Sequence, residues 1–257
     1  MLKNPTLYAA CNMDYFYSHG YTFAKSAIDH QNYVRISVWH DEFNSETQTK
    51  YLKFMTQFYQ TIGVNQCKID LVSHKTLDVI KKSSNVIELR AFYASMRFIL
   101  LEEILEQELE NDRSVLVLDI DSIIRNKIEV DDKYDIGIFS RENEIIHGTE
   151  YEQHGMKIAA GALYLSENAV EFARDIKENI INDEIKWFCD QKAIYESYLS
   201  MKQYYDIWYM DKTFLDWEFT ENSTVWSAKG SRKFENQTYL NEKVKILNGF
   251  NSTISTS

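Results

Sequence analysis

Residues 115–121 read Val-Leu-Val-Leu-Asp-Ile-Asp, four apolar residues followed by two aspartates one position apart. Just past a strand, where alternation relaxes, the carboxylates of Asp119 and Asp121 can turn toward one hard cation. Magnesium and manganese suit such a pair. They take oxygen ligands, keep open positions for water, and bridge phosphate oxygens, so they can neutralise a leaving diphosphate. An ordinary strand-end turn is built from the same residue types, so the pair taken alone leaves both readings open.

The elements around the pair must form a layered α/β fold. An apolar run such as 115–118 reads as a central strand buried on both faces, which delivers Asp119 and Asp121 to the edge where ligands gather in open α/β sheets. Further strands are predicted at 6–12, 33–39, 67–72, 134–139 and 158–165. Helices are predicted at 21–30, 46–62, about 89–110, about 167–181 and 186–200. The helix at 46–62 carries the spaced aromatics Tyr51, Phe54, Phe58 and Tyr59, and that at 89–110 carries Phe92, Met96, Leu100, Ile104 and Leu105. Residues 204–257 are rich in tyrosine, tryptophan and polar residues with weak periodicity, and NGFNSTISTS reads as a loose end. Pro5 is the only proline, so punctuation for a domain boundary is missing.

Composition narrows the partners. A chain of 257 residues with 44% hydrophobic and 14% aromatic positions can bury one substantial core. No stretch approaches the roughly 20 consecutive apolar residues of a membrane-spanning helix. A formal charge of -11 would repel a phosphate backbone over most of the surface, which argues against nucleic acid as the primary partner. The first sixteen residues lack the basic start, apolar run and cleavage site of a secretory signal, and Cys11, Cys67 and Cys189 are too few and scattered for a disulfide framework. Both features favour a cytoplasmic protein with reduced thiols.

The strand-D-x-D pattern near the middle of an alternating chain resembles the type-A (GT-A) glycosyltransferases, and later segments extend the likeness to glycosyltransferase family 8. IAAGALYLSENAVEFARDI is similar to the strand, glycine turn and helix that follow the metal site, with Ala160 and Gly161 lining the sugar pocket. CDQKAIYESY is similar to the Asp-Gln pair opening the next helix, matching Asp190 and Gln191. VWSAKGSRKF is similar to the closing His-x-x-Gly-x-x-Lys segment, with Gly230 and Lys233 on its glycine and lysine. Lys229, Arg232 and Lys233 are the densest basic cluster of the chain. At the N-terminus ACNMDYFYSHGYTFAKS resembles the loop that holds the base and ribose, which implicates Asn12, Asp14 and Tyr15, with Tyr15 or Tyr17 able to stack on a base. Arg90 or Arg97 could reach the donor from below the metal strand.

The resemblance implies a single Rossmann-like GT-A domain over 1–235, with a mixed central sheet flanked by helices and a loose tail at 236–257. It implies transfer of a hexose from a nucleotide-diphosphate sugar, a UDP-sugar above all, to a hydroxyl acceptor with retention. Mn2+ or Mg2+ would sit on Asp119 and Asp121, Lys229 and Lys233 would stabilise the diphosphate, and Asp190 and Gln191 would orient sugar hydroxyls. One departure stands out: the histidine that would be the third metal ligand falls on Ser227. Each of these residues also has a plainer use: Gly161 in strand packing, Asp190 in a helix first turn, Lys233 in a solvated turn. Two rival functions remain: a nucleotide-sugar-binding protein with weak or no transferase activity, and a sugar-phosphate nucleotidyltransferase. The second normally has a glycine-rich N-terminal phosphate loop, and residues 9–20 contain only Gly20.

Overall fold

The computed structural model describes residues 1–40, 45–63, 65–73, 89–228 and 230–252, apart from the side chains of 89, 90 and 249–252. The N-terminal half alternates strand and helix. It contains β1 (Leu2–Lys3), β2 (Thr6–Asn12), α1 (Met13–Tyr15), a π-helical turn at Phe16–Gly20, α2 (Tyr21–Asp29), β3 (Tyr33–His40), α3 (Ser45–Ile62) and β4 (Cys67–Ser73). Two helices follow, α4 (Leu89–Ile99) and α5 (Leu101–Leu109), where one continuous helix over 89–110 is expected from the periodicity; the chain breaks at Leu100. The middle of the chain adds β5 (Val115–Leu118), β6 (Ile123–Ile124), β7 (Val130–Asp131), β8 (Ile136–Ser140), α6 (Glu150–Gly155) and β9 (Ile158–Leu165). The last third supplies α7 (Val170–Asn182), α8 (Cys189–Met201), β10 (Ile207–Tyr209), β11 (Leu215–Asp216), β12 (Val225–Trp226), α9 (Arg232–Glu235) and α10 (Gln237–Ser252).

The main sheet has seven strands in the order β10-β8-β9-β5-β2-β3-β4. β9 runs antiparallel to β5 and β8, while the remaining neighbours are parallel, so the sheet is mixed. Parallel neighbours need long crossovers, and the run from α1 to α2, then α3, supplies those between β2, β3 and β4. The C-terminal ends of β2, β5 and β8 therefore point the same way, and the loops that leave them share one edge.

Side-chain alternation divides the core in two. Tyr8, Ala10, Val115, Val117, Ile136 and Ile138 pack under α4, α5, α7 and α8. Leu7, Ala9, Cys11, Leu116 and Leu118 face α2 and α3 on the other side. Every residue of β5 is buried, which explains its uninterrupted apolar run. Among the described residues no helix is long and apolar enough to cross a membrane.

The C-terminal segment departs from the expected loose tail. Its described part forms α10, because Tyr239, Leu240, Ile246 and Leu247 recur at helical spacing and pack on the core. Tyr239 is fully buried against Ile123, Phe219 and Trp226. Residues 253–257 lie outside the described residues.

Candidate active site

Asp119 and Asp121 leave the end of β5 on a turn closed by the Ser122 N–H donating to the Asp119 carbonyl at 3.0 Å. Ile120 between them is buried in the apolar layer, and this anchors the turn while both aspartates flank it. The pair thus sits on an ordinary strand-end turn and also at the sheet's ligand edge.

Arg97, in the last turn of α4, is the hub beneath the pair. It is only 6% exposed. Its Nη1 is ion-paired with Asp119 Oδ1, its Nη2 donates to the Ala160 carbonyl at 3.0 Å, and Nη2 lies 3.5 Å from Asp190 Oδ2. Burial works against the guanidinium charge, but Asp119 and Asp190 outweigh it and hold Arg97 above its ordinary value. Asp190 is itself buried at the start of α8 and accepts from the Gln191 N–H at 2.8 Å. Burial raises its carboxyl, with the Arg97 charge opposing. The Gln191 side chain takes no part in these contacts.

A small three-stranded sheet brings the last third of the chain to the pair. β12 pairs with β6 and β11, and the Ser227 N–H continues the pairing onto the Asp216 carbonyl at 2.9 Å. Ser227 therefore lands beside Asp119 and its Oγ donates to Asp119 Oδ2 at 3.3 Å. Opposite, a Cβ on Gly161 would stand 3.1 Å from Asp119 Oδ2 and 3.6 Å from Ser227 Oγ. The absent side chain leaves the carboxylate room.

Asp121 faces cations from the C-terminal segment. Lys233 Nζ donates to Asp121 Oδ2 at 2.7 Å and lies 3.3 Å from the Tyr15 hydroxyl. The Tyr239 hydroxyl donates to the Asp121 carbonyl at 2.7 Å. Burial, then the neighbouring Asp119 charge, raises the Asp121 carboxyl, with Lys233 and Arg97 opposing. The Lys233 ammonium is raised in turn, since Asp121 and Tyr15 outweigh its burial. Gly230 has φ of +67° with nothing within 4 Å of an added Cβ. It is required by the backbone of the turn before α9, not by a close neighbour.

The remaining predicted residues divide. Tyr15 joins the group through Lys233 and stays 43% exposed. Asn12 caps α1, its Oδ1 accepting from the Tyr15 N–H at 2.9 Å, and Asp14 is exposed beside it. Arg232 pairs with Glu218 at 3.2 Å, away from the aspartates. Lys229 and the Arg90 side chain lie outside the described residues. Sequence reasoning missed Tyr239, Lys243 and His19. The first two share one face of α10 at a four-residue spacing, a signal present in the sequence but diluted by the polar residues around it.

No protein-family profile and no curated protein sequence matches the chain. Solved structures do. The chain is similar to the apo WbbM bifunctional glycosyltransferase, with TM-score 0.53 at 10% identity over 96% of this chain and 45% of that one. It is also similar to the glycosyltransferase GlyE of Streptococcus pneumoniae TIGR4, with TM-score 0.53 at 12% identity over 98% of this chain and 64% of that one. The apo form of GlyE gives TM-score 0.55 at 12% identity, over 98% and 63% of the two chains. The fold is that of a GT-A-type glycosyltransferase. The chain spans about half to two thirds of those proteins' length, and at such identities the likeness concerns the fold. Within this glycosyltransferase fold, Asp119 and Asp121 lie at the C-terminal end of β5, next to Gly161 of β9.

The donor atoms at the pair fit a hard divalent cation. Two carboxylates and the Ser227 hydroxyl are oxygen ligands, and the mutual repulsion that helps raise Asp121 is what a divalent charge would offset. Among the described residues no group of three His, Cys, Asp or Glu completes a protein-only set. Ser227, on which the sequence resemblance puts the expected histidine, brings its hydroxyl to 3.3 Å from Asp119 Oδ2.

Proposed function

We propose that this protein is a glycosyltransferase that moves a hexose from a nucleotide-diphosphate sugar, best a UDP-sugar, to a hydroxyl acceptor with retention at the anomeric carbon. The observation that carries this reading is the constellation at the sheet edge: Asp119 and Asp121 on one turn, Gly161 leaving space, and a buried Arg97 and a partly buried Lys233 paired with the two carboxylates. Asp119 and Asp121 would hold Mn2+ or Mg2+, with Ser227 beside them. A bound divalent ion would supply charge to neutralise the departing diphosphate.

The chain's own residues then have assigned tasks. Arg97 orients Asp119 and Asp190 by bridging them. Lys233 is a preorganised cation within reach of leaving-group charge, and Tyr15, half-exposed next to it, offers a ring for the base. Asp190 and Gln191 open α8 beside Arg97, where they can accept from and donate to sugar hydroxyls. In the transfer the anomeric C–O bond to the diphosphate breaks, the acceptor oxygen bonds to the same carbon, and the acceptor's proton passes to the departing diphosphate, which leaves as the nucleoside diphosphate.

A second reading keeps the binding and drops the chemistry. The absence of a histidine at Ser227, together with the engagement of both aspartates by Arg97 and Lys233, favours a nucleotide-sugar-binding protein with a weak metal site. One assay separates the two. The purified protein is incubated with UDP-glucose, UDP-galactose and other nucleotide sugars plus manganese, and released nucleotide is measured. Transferase chemistry predicts slow donor hydrolysis even without the acceptor, reduced by about 100-fold or more in the Asp119→Ala, Asp121→Ala double variant. Turnover undiminished in that variant would overturn the metal role. Tight donor binding with no turnover would select the binding protein.

A further inference from the structure

We propose that Lys243 on α10 is a second phosphate-binding cation beside Lys233, so that the C-terminal helix completes a diphosphate subsite; this rests on the donor reading above. Lys243 is half-buried, and its Nζ lies 3.3 Å from His19 Nδ1. Among the described residues no carboxylate comes within ion-pairing distance of it, whereas Lys233 is held by Asp121 at 2.7 Å. A partly buried ammonium without a counter-ion costs free energy. Its proton affinity is lowered by burial first and by Lys233, with Asp121 opposing.

The neighbour does not neutralise it. His19 is 6% exposed, and burial together with Lys243 and Lys233 brings it down to about 3, so at neutral pH its imidazole is uncharged and Nδ1 accepts from the ammonium. The placement is overdetermined by its surroundings. The π-helical turn at Phe16–Gly20 buries His19, and the His19 ring lies 5.4 Å from that of Tyr15, whose hydroxyl meets Lys233. On the other side Tyr239, one turn before Lys243, is fastened to the Asp121 carbonyl. Asp121, Lys233, Tyr15, His19, Lys243 and Tyr239 thus form a closed circuit around one small region.

Charge balance points to the ligand class. Asp119, Asp121 and Asp190 are matched by Arg97, Lys233 and Lys243, so a divalent ion on the aspartates leaves a surplus of two positive charges, which a diphosphate would cancel. Without Lys243 the surplus falls to one. A free phosphate or pyrophosphate shares this chemistry with a nucleoside diphosphate, and the test separates them.

Binding of UDP, inorganic pyrophosphate and uridine is measured by titration calorimetry, with and without manganese, on the wild type, Lys243→Met and Lys243→Arg. The expected result is about tenfold weaker binding of both UDP and pyrophosphate to the methionine variant, uridine binding unchanged, and most of the affinity kept by arginine. The ligand-free methionine variant should melt at the same temperature or higher, because an uncompensated charge has been removed. Lys243→Met binding UDP and pyrophosphate as tightly as wild type would overturn the assignment, as would equal losses for UDP and uridine. Pyrophosphate binding without UDP binding, weakened by Lys243→Met, would keep the anion subsite and overturn the nucleotide reading. Wild type binding neither UDP nor pyrophosphate would overturn both.

Discussion

A methyl group at position 161 would approach Asp119 Oδ2 to 3.1 Å, tighter than about nine in ten real Cβ contacts, so the carboxylate or β9 must give by a few tenths of an ångström. The backbone there is ordinary for an L-residue, so the penalty falls on the site instead of on the chain. Gly161→Ala should lower donor turnover by about tenfold through misplacement of Asp119, while destabilising the fold by only about 1 kcal/mol; nucleotide release and a thermal melt read the two effects separately. Equal activity would return Gly161 to plain strand packing. At the same scale, Arg97 is the residue whose use the sequence only hinted at. Arg90 and Arg97 are both spaced to reach the strand above, but only the packing of α4 against β2, α7 and α8 says that Arg97 bridges Asp119, Asp190 and the Ala160 carbonyl. A lysine could not span those three groups.

Among the elements, α10 changes the account most. The first 235 residues read as a complete domain, yet Tyr239 fills the cluster of Ile123, Phe219, Trp226 and Ala228 and holds the Asp121 carbonyl. A chain ending at 235 would expose that cluster and leave the turn bearing Asp121 without its bond. Loss of one buried aromatic costs about 3–5 kcal/mol, a large fraction of typical domain stability. The 1–235 fragment should therefore melt far below the full chain or be recovered as aggregate, with UDP binding lost; a fragment as stable as the full chain would contradict this. Helix α8 is set by a different device. Phe188, just before it, takes a left-handed φ of +74°, and a Cβ on Gly155 would meet Phe188 Cβ at 2.9 Å. The strain and the close approach together fix the start of α8, and with it Asp190.

For the molecule as a whole, buried ionisable groups predict how stability follows pH. His19 has its folded value lowered to about 3 from an ordinary 6.5, so between those values the unfolded chain binds the extra proton. Stability contributed by this group is therefore complete above pH 6.5 and is lost on acidification, by at most about 1.4 kcal/mol per pH unit. Asp121 and Asp190 act in the opposite sense. Their raised carboxyls keep protons in the folded state, which favours folding as pH falls from their raised values toward 3.8. His19 is isolated from the carboxyls by comparing variants that share them over pH 5–7, a range that brackets the ordinary histidine value of 6.5. There the His19→Gln variant, whose amide oxygen can still accept from Lys243, should lose less stability on acidification than wild type, as measured by denaturant melts at each pH. Parallel curves for the two proteins would sink the assignment.

The sequence by itself determined the layered α/β class, most strand and helix positions, and the ligand edge of the sheet, because these follow from local periodicity. β5 reads as central since every one of its residues must be apolar to lie between two helical layers. Gly161, Asp190 and Lys233 could be singled out because their motifs are contiguous. Only the tertiary structure decided what those residues touch. Ser227 reaches Asp119 through a sheet of two-residue strands too short to leave a periodic trace, and Lys243 meets His19 across 224 positions of sequence. Asp119 and Asp121, which the sequence leaves between a turn and a metal site, are in the structure a turn whose surroundings of Arg97, Gly161, and Ser227 with Lys233 come from three separate parts of the chain. Local pattern reports what an element is; contacts between distant elements depend on packing, which no window of sequence contains.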